Sequence, residues 1–193
     1  MIINDQHKFV FISIAKTACT SIRRRLGFDN DPLPEIYHMF YKDMVKLKPE
    51  INSYFKFCFV RNPYERMYSA YTNLKYGGHP QWTDPIKKFS KYEDFVINFQ
   101  KSECVKFIHL QPQFDYISID NKSCMNFIGR FENLKNDMIT IEKQLNLNHV
   151  PLKIERTTED IFKQKDPKMH TQYMKDIIYD FYKNDFINFG YER

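Results

Sequence analysis

The chain has 193 residues, a formal net charge of +5 and 42% hydrophobic residues, including 18 phenylalanines and 13 tyrosines. This composition excludes a disordered chain, and no apolar run approaches the roughly 18 residues of a membrane-spanning helix. The length fits one domain over residues 1–193, and the positive charge fits an anionic ligand, either a small molecule or a nucleic acid.

The N-terminal residues and the cysteines bear on the compartment in which the protein works. The opening MIINDQHK lacks a basic region followed by an apolar segment, so no secretory signal is expected. The cysteines lie far apart without a C-x-x-C pair, which indicates neither a zinc site nor a disulfide framework. They are Cys19, Cys58, Cys104 and Cys124. We therefore expect a cytoplasmic protein.

The most informative stretch runs from Lys8 to Leu26. Its apolar part, Phe9 to Ile14, is typical of a parallel strand that is buried on both faces. The next residues supply one cation, three hydroxyls and short side chains, and a helix from Ile22 to Leu26 would add unpaired N–H groups. These residues are Lys16, Thr17, Ala18, Cys19, Thr20 and Ser21. The pattern predicts a site for a phosphate-bearing nucleotide.

The same stretch is also compatible with an ordinary helix start. In that alternative, Thr17 or Thr20 caps the first turn and Lys16 is solvated. The Walker A pattern G-x-x-x-x-G-K-[ST] is not met, because no glycine precedes Lys16. The sequence therefore disfavours an ordinary ATP or GTP enzyme.

A short helical pattern within residues 29–49 ends before Pro49 and contains His38, which lies among aromatic residues. A lone histidine in such surroundings is more often packed and hydrogen-bonded than catalytic. The spacing alone leaves both roles open.

A second buried strand runs through Phe57 to Val60 and ends at Arg61. Ligands of parallel sheets collect beyond the carboxyl ends of the strands, so Arg61 is expected where Lys16 also emerges. The alternative for Arg61 is a structural salt bridge to Glu65.

A helix is predicted directly after this strand, with an asparagine N-cap, a first-turn proline and a capping-box acid. These three residues are Asn62, Pro63 and Glu65. Arg66, Ser69 and Asn73 repeat at helical spacing and form one polar face. Ser69 is alternatively a small residue at a helix contact.

The rest of the chain continues the alternation of strands and helices. Tyr76 to Lys91 reads as a loop and contains Trp82, which is suited to stacking on a sugar or to filling the core. A third strand, Met125 to Phe131, precedes an amphipathic helix. Lys153 to His170 is a charged stretch whose default interpretation is a solvated loop, with Arg156, Lys163, Lys165 and Lys168 as possible contacts to phosphate. A core-facing terminal helix is predicted from residues that recur at helical spacing, namely Tyr173, Met174, Ile177, Ile178, Phe181 and Tyr182.

Four segments together resemble the carbohydrate sulfotransferase superfamily, which uses 3′-phosphoadenosine 5′-phosphosulfate (PAPS). They are FISIAKTACTSIRRRL, FCFVRNPYERMYSAY, FIGRFENL and IIYDFYKNDFINFGY. The resemblance extends over nearly the whole chain and includes the heparan 2-O- and chondroitin-type branch. It implies an α/β fold, a P-loop-like three-layer sandwich with a central, mainly parallel sheet flanked by helices.

The resemblance also assigns residues to the two ends of the nucleotide. Lys16 and the backbone of Thr17 to Ser21 would hold the 5′-phosphosulfate, and Arg61 with Ser69 would hold the 3′-phosphate. Ala18 and Cys19 replace the Gly-Gly of many members. This change is compatible with binding provided that the turn avoids positive φ there.

The implied reaction moves a sulfuryl group from PAPS to an acceptor hydroxyl, on a glycan, and releases PAP. Lys16 would neutralise the charge that grows on the bridging oxygen, and no metal is required in principle. His38 matches the position of the family's catalytic histidine, and His109 is the competing general base. His109 and Gln111 lie in an acceptor-side segment of the family, and Trp82 is the third candidate for the substrate.

Two other functions fit parts of the sequence. Cys19 and Arg25 have the C-x₅-R spacing of a cysteine-dependent phosphatase, in which a thiolate at a helix N-terminus is activated. A basic nucleic-acid-binding module would explain the net charge of +5 and the many aromatic residues. The spacing of the two nucleotide segments favours the transferase over both, and no nucleic-acid partner is expected.

Overall fold

The computed structural model describes residues 1–28, 37–77, 80–148 and 168–193. The chain divides into two compact units. The first consists of Met1–Arg61 with Gln113–Glu155, and the second of Asn62–Pro112 with Arg156–Arg193. In the described ranges, no helix is long and apolar enough to cross a membrane.

The first unit is built on a four-stranded, mainly parallel sheet. The strands stand in the order β1 (Ile2–Asn4), β2 (Phe9–Ile12), β3 (Phe55–Val60) and β6 (Phe127–Arg130). β1 is antiparallel to β2, whereas β2, β3 and β6 run parallel. A small hairpin, β4 (Ser118–Ile119) and β5 (Lys122–Ser123), lies apart from this sheet. The mixed α/β class and the mainly parallel central sheet that the sequence implies are confirmed.

Among the described residues, four helices belong to the same unit. They are α1 (Cys19–Arg25), α2 (Tyr41–Leu47), α6 (Gln113–Ile117) and α7 (Leu134–Gln144). Two 3₁₀ helices, Pro49–Ser53 and Phe131–Asn133, precede β3 and α7. Apolar residues of β2, β3, α1 and α7 form one cluster, which includes Phe9, Phe11, Ile22, Phe57, Phe59, Met138 and Ile141. One face of the sheet thus packs against helices that follow two of its strands.

The central strands are buried on both faces, as the continuous apolar runs predict. All four residues of β2 are buried, and so are those of β3 after Phe55. Gly129 of β6 permits this dense packing, because a Cβ there would lie 2.5 to 2.9 Å from atoms of the Phe59 ring. The sheet is therefore a tightly packed support for the residues that follow the carboxyl ends of β2 and β3.

The second unit is helical. It contains α3 (Pro63–Tyr76), α4 (Pro80–Lys87), α5 (Tyr92–Asn98), α8 (Gln172–Phe181) and α9 (Lys183–Phe189). Three short 3₁₀ helices, Phe99–Lys101, Glu103–Lys106 and Ile108–Leu110, follow α5. The core of this unit is largely aromatic and includes Tyr68, Tyr71, Tyr92, Phe95, Phe99, Tyr182 and Phe186.

The start of α3 confirms the predicted cap. The Asn62 side chain accepts hydrogen bonds from the N–H groups of Tyr64 and Glu65, and Pro63 is the first helical residue. The terminal helix is also confirmed, since Met174, Ile178 and Tyr182 are buried. Tyr173, by contrast, is 63% exposed and does not face the core.

The loop predicted for Tyr76 to Lys91 is wrong in its middle, where the structure forms α4. Pro80 is the first residue of this helix, a position at which proline loses no useful N–H. Pro85 lies inside the helix, and the buried Ile86 beside it joins the aromatic core. Tertiary packing therefore outweighs the helix-breaking tendency of Pro85.

Candidate active site

The residues predicted to bind phosphate follow the carboxyl ends of two neighbouring strands. β2 and β3 are parallel, with Ile12 paired to Cys58. Lys16 lies four residues beyond Ile12, and Arg61 lies three residues beyond Cys58. The sheet therefore brings both cations to the same edge of the first unit, as the sequence predicts.

The turn after β2 has an unusual backbone. Lys16 has φ +71° and Ala18 has φ +64°, so both lie in the left-handed region. The condition that the turn avoid positive φ at Ala18 is therefore not met. Ala18 nevertheless adopts the left-handed conformation, which strains an L-amino acid and suits glycine, so the turn forms at a cost in backbone strain.

The hydroxyls of this turn bond to the protein. Thr17 Oγ1 donates to the carbonyl of Ile14 over 2.9 Å, and Thr20 Oγ1 lies 3.1 Å from the Tyr37 hydroxyl. Ala18 is the N-cap of α1 and makes no side-chain capping bond. The alternative of a helix capped by Thr17 or Thr20 is therefore wrong.

Lys16 carries a positive charge in partly desolvated surroundings. Burial, assisted by the positive charge of Arg61 and opposed by Cys19, lowers the pKa of Lys16 from 10.5 to about 8. Among the described residues, no hydrogen bond or ion pair engages its ammonium group. Such a cation is suited to an anionic ligand, whose negative charge would compensate for the water that burial removes from the ammonium group.

His38 is held at the end of β2. Its Nδ1 lies 2.7 Å from the carbonyl oxygen of Ser13, and because a carbonyl only accepts, Nδ1 must carry the proton. In the neutral ring, Nε2 is then the basic nitrogen. The ring also packs edge-on against Tyr37, with centroids 4.5 Å apart. This arrangement fixes the tautomer that a general base at Nε2 requires.

Arg61 is buried and braced. Its guanidinium lies over the ring of Phe131, 4.2 Å from the centroid, and the residue is 8% exposed. The Arg61 N–H donates to Gln113 Oε1 over 2.9 Å, and Gln113 Nε2 donates to the Arg61 carbonyl over 2.8 Å. The backbone and the side chain of this arginine are thus both held in place.

The geometry around Cys19 disfavours a cysteine phosphatase. Burial raises the pKa of the Cys19 thiol, although Lys16 acts in the opposite direction. Arg25 forms an ion pair with Glu142 and donates to the carbonyl of Asn148 over 3.1 Å. The thiol is therefore not activated as a nucleophile, and the arginine is engaged by a carboxylate.

The other candidate residues lie in the second unit, where their roles stay predictions. Ser69 is buried on α3. Gln111 Nε2 donates to the carbonyls of Val105 and Phe107. His109 lies on the 3₁₀ helix Ile108–Leu110, and its carbonyl accepts a hydrogen bond from Arg66 Nη1. These hydrogen bonds of the Gln111 side chain and of the His109 backbone stabilise local structure.

Arg66, which its spacing groups with Ser69 and Asn73 on one polar face of α3, lies in the interior of the second unit. It is fully buried, donates to the carbonyls of His109 and Gln111, and lies 5.0 Å from the centroid of the Tyr182 ring. Its role is therefore structural.

Several predicted contacts lie outside the described residues. The side chain of Trp82 is one of them, although its backbone belongs to α4. Most of the charged stretch is another, including Arg156, Lys163 and Lys165. Lys168 is described and forms an ion pair with Glu65. In the ranges that the structure describes, no group of three or more His, Cys, Asp or Glu residues could hold a metal.

Sequence reasoning missed the partners that orient the site. Gln113 stands 52 positions from Arg61, and no local pattern connects the two residues. The Ser13 group that bonds His38 is a backbone carbonyl, and the sequence does not distinguish it from the carbonyl of any other residue. The one available signal was a polar residue, Gln113, between Pro112 and the apolar Phe114.

Comparison with known proteins identifies the family of this chain. The sequence profile of the sulfotransferase family matches residues 1–192. Human carbohydrate sulfotransferase 9 is 27% identical over 234 residues, which cover 98% of this chain and 52% of that protein. No solved structure matches the chain significantly.

Two shorter matches point the same way. Carbohydrate sulfotransferase 14 of Danio rerio is 33% identical over 89 residues, 40% of this chain and 24% of that protein. Carbohydrate sulfotransferase 11 of Rattus norvegicus is 34% identical over 90 residues, which cover 38% of this chain and 25% of that protein. The chain thus matches about half of one curated relative and about a quarter of the other two. Since the family profile extends over nearly all of its residues, the chain belongs to the sulfotransferase family.

Proposed function

We propose that this protein transfers a sulfuryl group from PAPS to a hydroxyl of a carbohydrate and releases PAP. The observation that carries the proposal is the state of Lys16. Its pKa falls to about 8, and no hydrogen bond or ion pair with another described residue engages its ammonium group. It shares the sheet edge with a second cation, Arg61, as a nucleotide with phosphate groups at two positions would require.

The described residues fit this donor. Lys16 and the backbone N–H groups of Thr17 to Ser21 would hold the 5′-phosphosulfate. The hydroxyls of Thr17 and Thr20 are not assigned to this ligand, because they already bond to other groups of the protein. Arg61 would hold the 3′-phosphate. Ser69 is assigned to the 3′-phosphate beside Arg61 on the spacing of the sequence motif alone. When bound, PAPS supplies an activated sulfuryl group.

Lys16 would act on the leaving side of the reaction. A lysine with a pKa of about 8 is mostly protonated at pH 7, so it brings a full positive charge to the bridging oxygen. Charge that develops there in the transition state is stabilised more strongly than the ground state, and only such a difference accelerates the reaction.

His38 would act on the acceptor side. The bond from Nδ1–H to the Ser13 carbonyl leaves Nε2 as the nitrogen that takes the proton of the acceptor hydroxyl. The same bond stabilises the imidazolium that forms, since Nδ1–H then donates from a charged ring. Ser13 lies three residues before Lys16, so the base and the cation are anchored at the same strand end.

A carbohydrate acceptor is supported by the names of the relatives, all of which are carbohydrate sulfotransferases. Trp82, His109 and Gln111 stay the candidates for contacts with it. The P-loop-like three-layer arrangement also belongs to this proposal, and the parallel strands with a helix after β2 support it.

Nucleotide binding tests the proposal directly. Adenosine 3′,5′-bisphosphate, the PAP product, should raise the melting temperature of the protein well above the shift given by AMP at the same concentration, because a ligand that binds only the folded state stabilises it. Lys16→Met should reduce both shifts, whereas Arg61→Met should remove only the advantage of the bisphosphate. Equal shifts from the two nucleotides in the unmodified protein would contradict the assignment of the donor.

A further inference from the structure

The backbone of Arg61 lies just beyond the end of the sheet. Val60, paired with Arg130, is the last residue of β3 in the ladder with β6. Arg61 is nevertheless buried, so its N–H and its carbonyl need partners other than water. The side chain of Gln113 bonds to both groups, at 2.9 and 2.8 Å. A single side-chain amide thus takes the place of a neighbouring strand for one residue.

This pair of bonds restricts the arginine. Two hydrogen bonds to one residue limit rotation about its φ and ψ, and so set the direction in which the side chain leaves the backbone. The ring of Phe131, 4.2 Å from the guanidinium carbon, limits the other end. A cation that is fixed in advance loses less conformational entropy when it binds a phosphate.

The chemistry of the pair explains why a glutamine stands here. A neutral amide offers a donor and an acceptor side by side, which is the combination that a peptide group requires. A carboxylate would lack the donor, and its negative charge would compete with a phosphate for the guanidinium. Methionine has nearly the same length and offers no comparable hydrogen-bonding groups. Gln113 is fully buried, so its bonds to Arg61 do not compete with water.

We infer that Gln113 is a positioning residue that acts through Arg61 and sets the preference of this site for nucleotides with a 3′-phosphate. The inference rests on the proposed function, since it takes the 3′-phosphate as the ligand of Arg61. In this inference Gln113 does not contact the nucleotide, and its effect on binding passes through the backbone of Arg61.

The experiment compares dissociation constants of adenosine 3′,5′-bisphosphate and AMP, measured by calorimetry on the folded protein. In Gln113→Met, we expect the preference for the bisphosphate to fall about tenfold, with the affinity for AMP changed less than about twofold. Gln113→Glu is the second variant, should the first fold poorly. It keeps an acceptor for the Arg61 N–H, loses the donor and adds a negative charge, so the preference should fall at least as far.

A matched control exists at the other end of the same strand. Asn126 Oδ1 accepts a hydrogen bond from the Lys56 N–H over 2.8 Å, as Gln113 Oε1 does from Arg61. Asn126→Ala removes a comparable side-chain bond from β3 and should leave the nucleotide preference unchanged. The double variant with Arg61→Met completes the test, because Gln113→Met should have no further effect on the preference once Arg61 is gone.

The outcomes separate the inference from the proposed function. If the unmodified protein does not prefer the bisphosphate, the assignment of the donor fails and the inference fails with it. If Arg61→Met abolishes the preference but the Gln113 variants retain it, the proposed function stands and the inference is overturned. Equal losses for both nucleotides in the Gln113 variants would show a general structural role and would likewise overturn it.

Discussion

The ends of β2 and β3 present their cations in opposite ways. Beyond β2, Lys16 has a strained backbone, and no hydrogen bond or ion pair with a described residue engages its ammonium group. Beyond β3, Arg61 has its backbone bonded twice by Gln113 and its guanidinium over Phe131. One sheet edge therefore combines a cation whose charge is sensitive to its surroundings with a cation that is fixed.

This difference suits two separate tasks. A group that stabilises a developing charge needs an electrostatic environment that changes when the ligand arrives, and Lys16 has such an environment. A group that recognises a phosphate remote from the reaction gains most from being held in place, as Arg61 is. We therefore expect changes near β2 to alter rate and pH dependence, and changes near β3 to alter selectivity.

The largest effect is expected at His38, which the end of β2 holds through Ser13. His38→Ala removes the proposed base, and general-base catalysis typically contributes roughly 10² to 10⁴ in rate. We expect kcat for sulfuryl transfer from PAPS to a carbohydrate acceptor to fall by about that factor. The affinity for adenosine 3′,5′-bisphosphate should change little, because the histidine is assigned to the acceptor side.

His109→Ala is the control for this prediction, since His109 is the competing base. Its backbone carbonyl accepts a hydrogen bond from Arg66, and alanine preserves that carbonyl. Turnover should remain within a few-fold of the unmodified protein. The opposite pattern, with His109 essential and His38 dispensable, would move the base to the second unit.

The local elements and the position of the site could be predicted from the sequence. The apolar runs identified β2, β3 and β6, and the Asn62-Pro63 signal identified the start of α3. The rule that ligands collect beyond the carboxyl ends of parallel strands predicts Lys16 and Arg61 at one edge of the sheet. These predictions succeed because they depend on local pattern and on one general property of parallel sheets.

The supports of the site could not be predicted, because they depend on contacts that are distant in sequence. Gln113 and Phe131 reach Arg61 from 52 and 70 positions away. The conformation of Ala18 was missed for another reason. An alanine gives no sign of positive φ, and the tertiary fold imposes the strain.

A second, smaller effect is a pH dependence of nucleotide binding that comes from Lys16. Its pKa of about 8 lies below the 10.5 of an ordinary lysine, so the free protein loses this charge as the pH rises through 8. An anion binds best to the protonated form. Affinity for the bisphosphate should therefore fall between pH 8 and 9.5, by up to about tenfold per pH unit, and binding at pH 8 should take up roughly half a proton.

Calorimetry in buffers of different ionisation enthalpy measures this proton uptake. Lys16→Arg is the matched control, since arginine stays charged throughout this range and should give binding that is nearly independent of pH. The phosphate groups of the nucleotide do not disturb the result, because their last ionisation lies near pH 6. An unchanged pH profile in Lys16→Arg would assign the titration to another group.

The smallest expected effect concerns the strained turn that distinguishes the end of β2. Ala18 has φ +64° and ψ +24°, and the left-handed conformation costs an L-residue roughly 1 to 2 kcal/mol, whereas glycine has no such penalty. Glycine also loses more conformational freedom on folding, which offsets about 0.4 to 1 kcal/mol. Ala18→Gly should therefore raise the free energy of unfolding by about 0.5 to 1 kcal/mol, measured by urea denaturation.

Ala15→Gly is the control within the same turn. Ala15 is fully buried and is not among the residues with positive φ, so glycine there relieves no strain and removes a packed methyl group. This variant should lower the free energy of unfolding by about 1 kcal/mol or more. If both variants destabilise the protein equally, the turn does not store strain at Ala18, and the contrast between the two strand ends would rest on Lys16 alone.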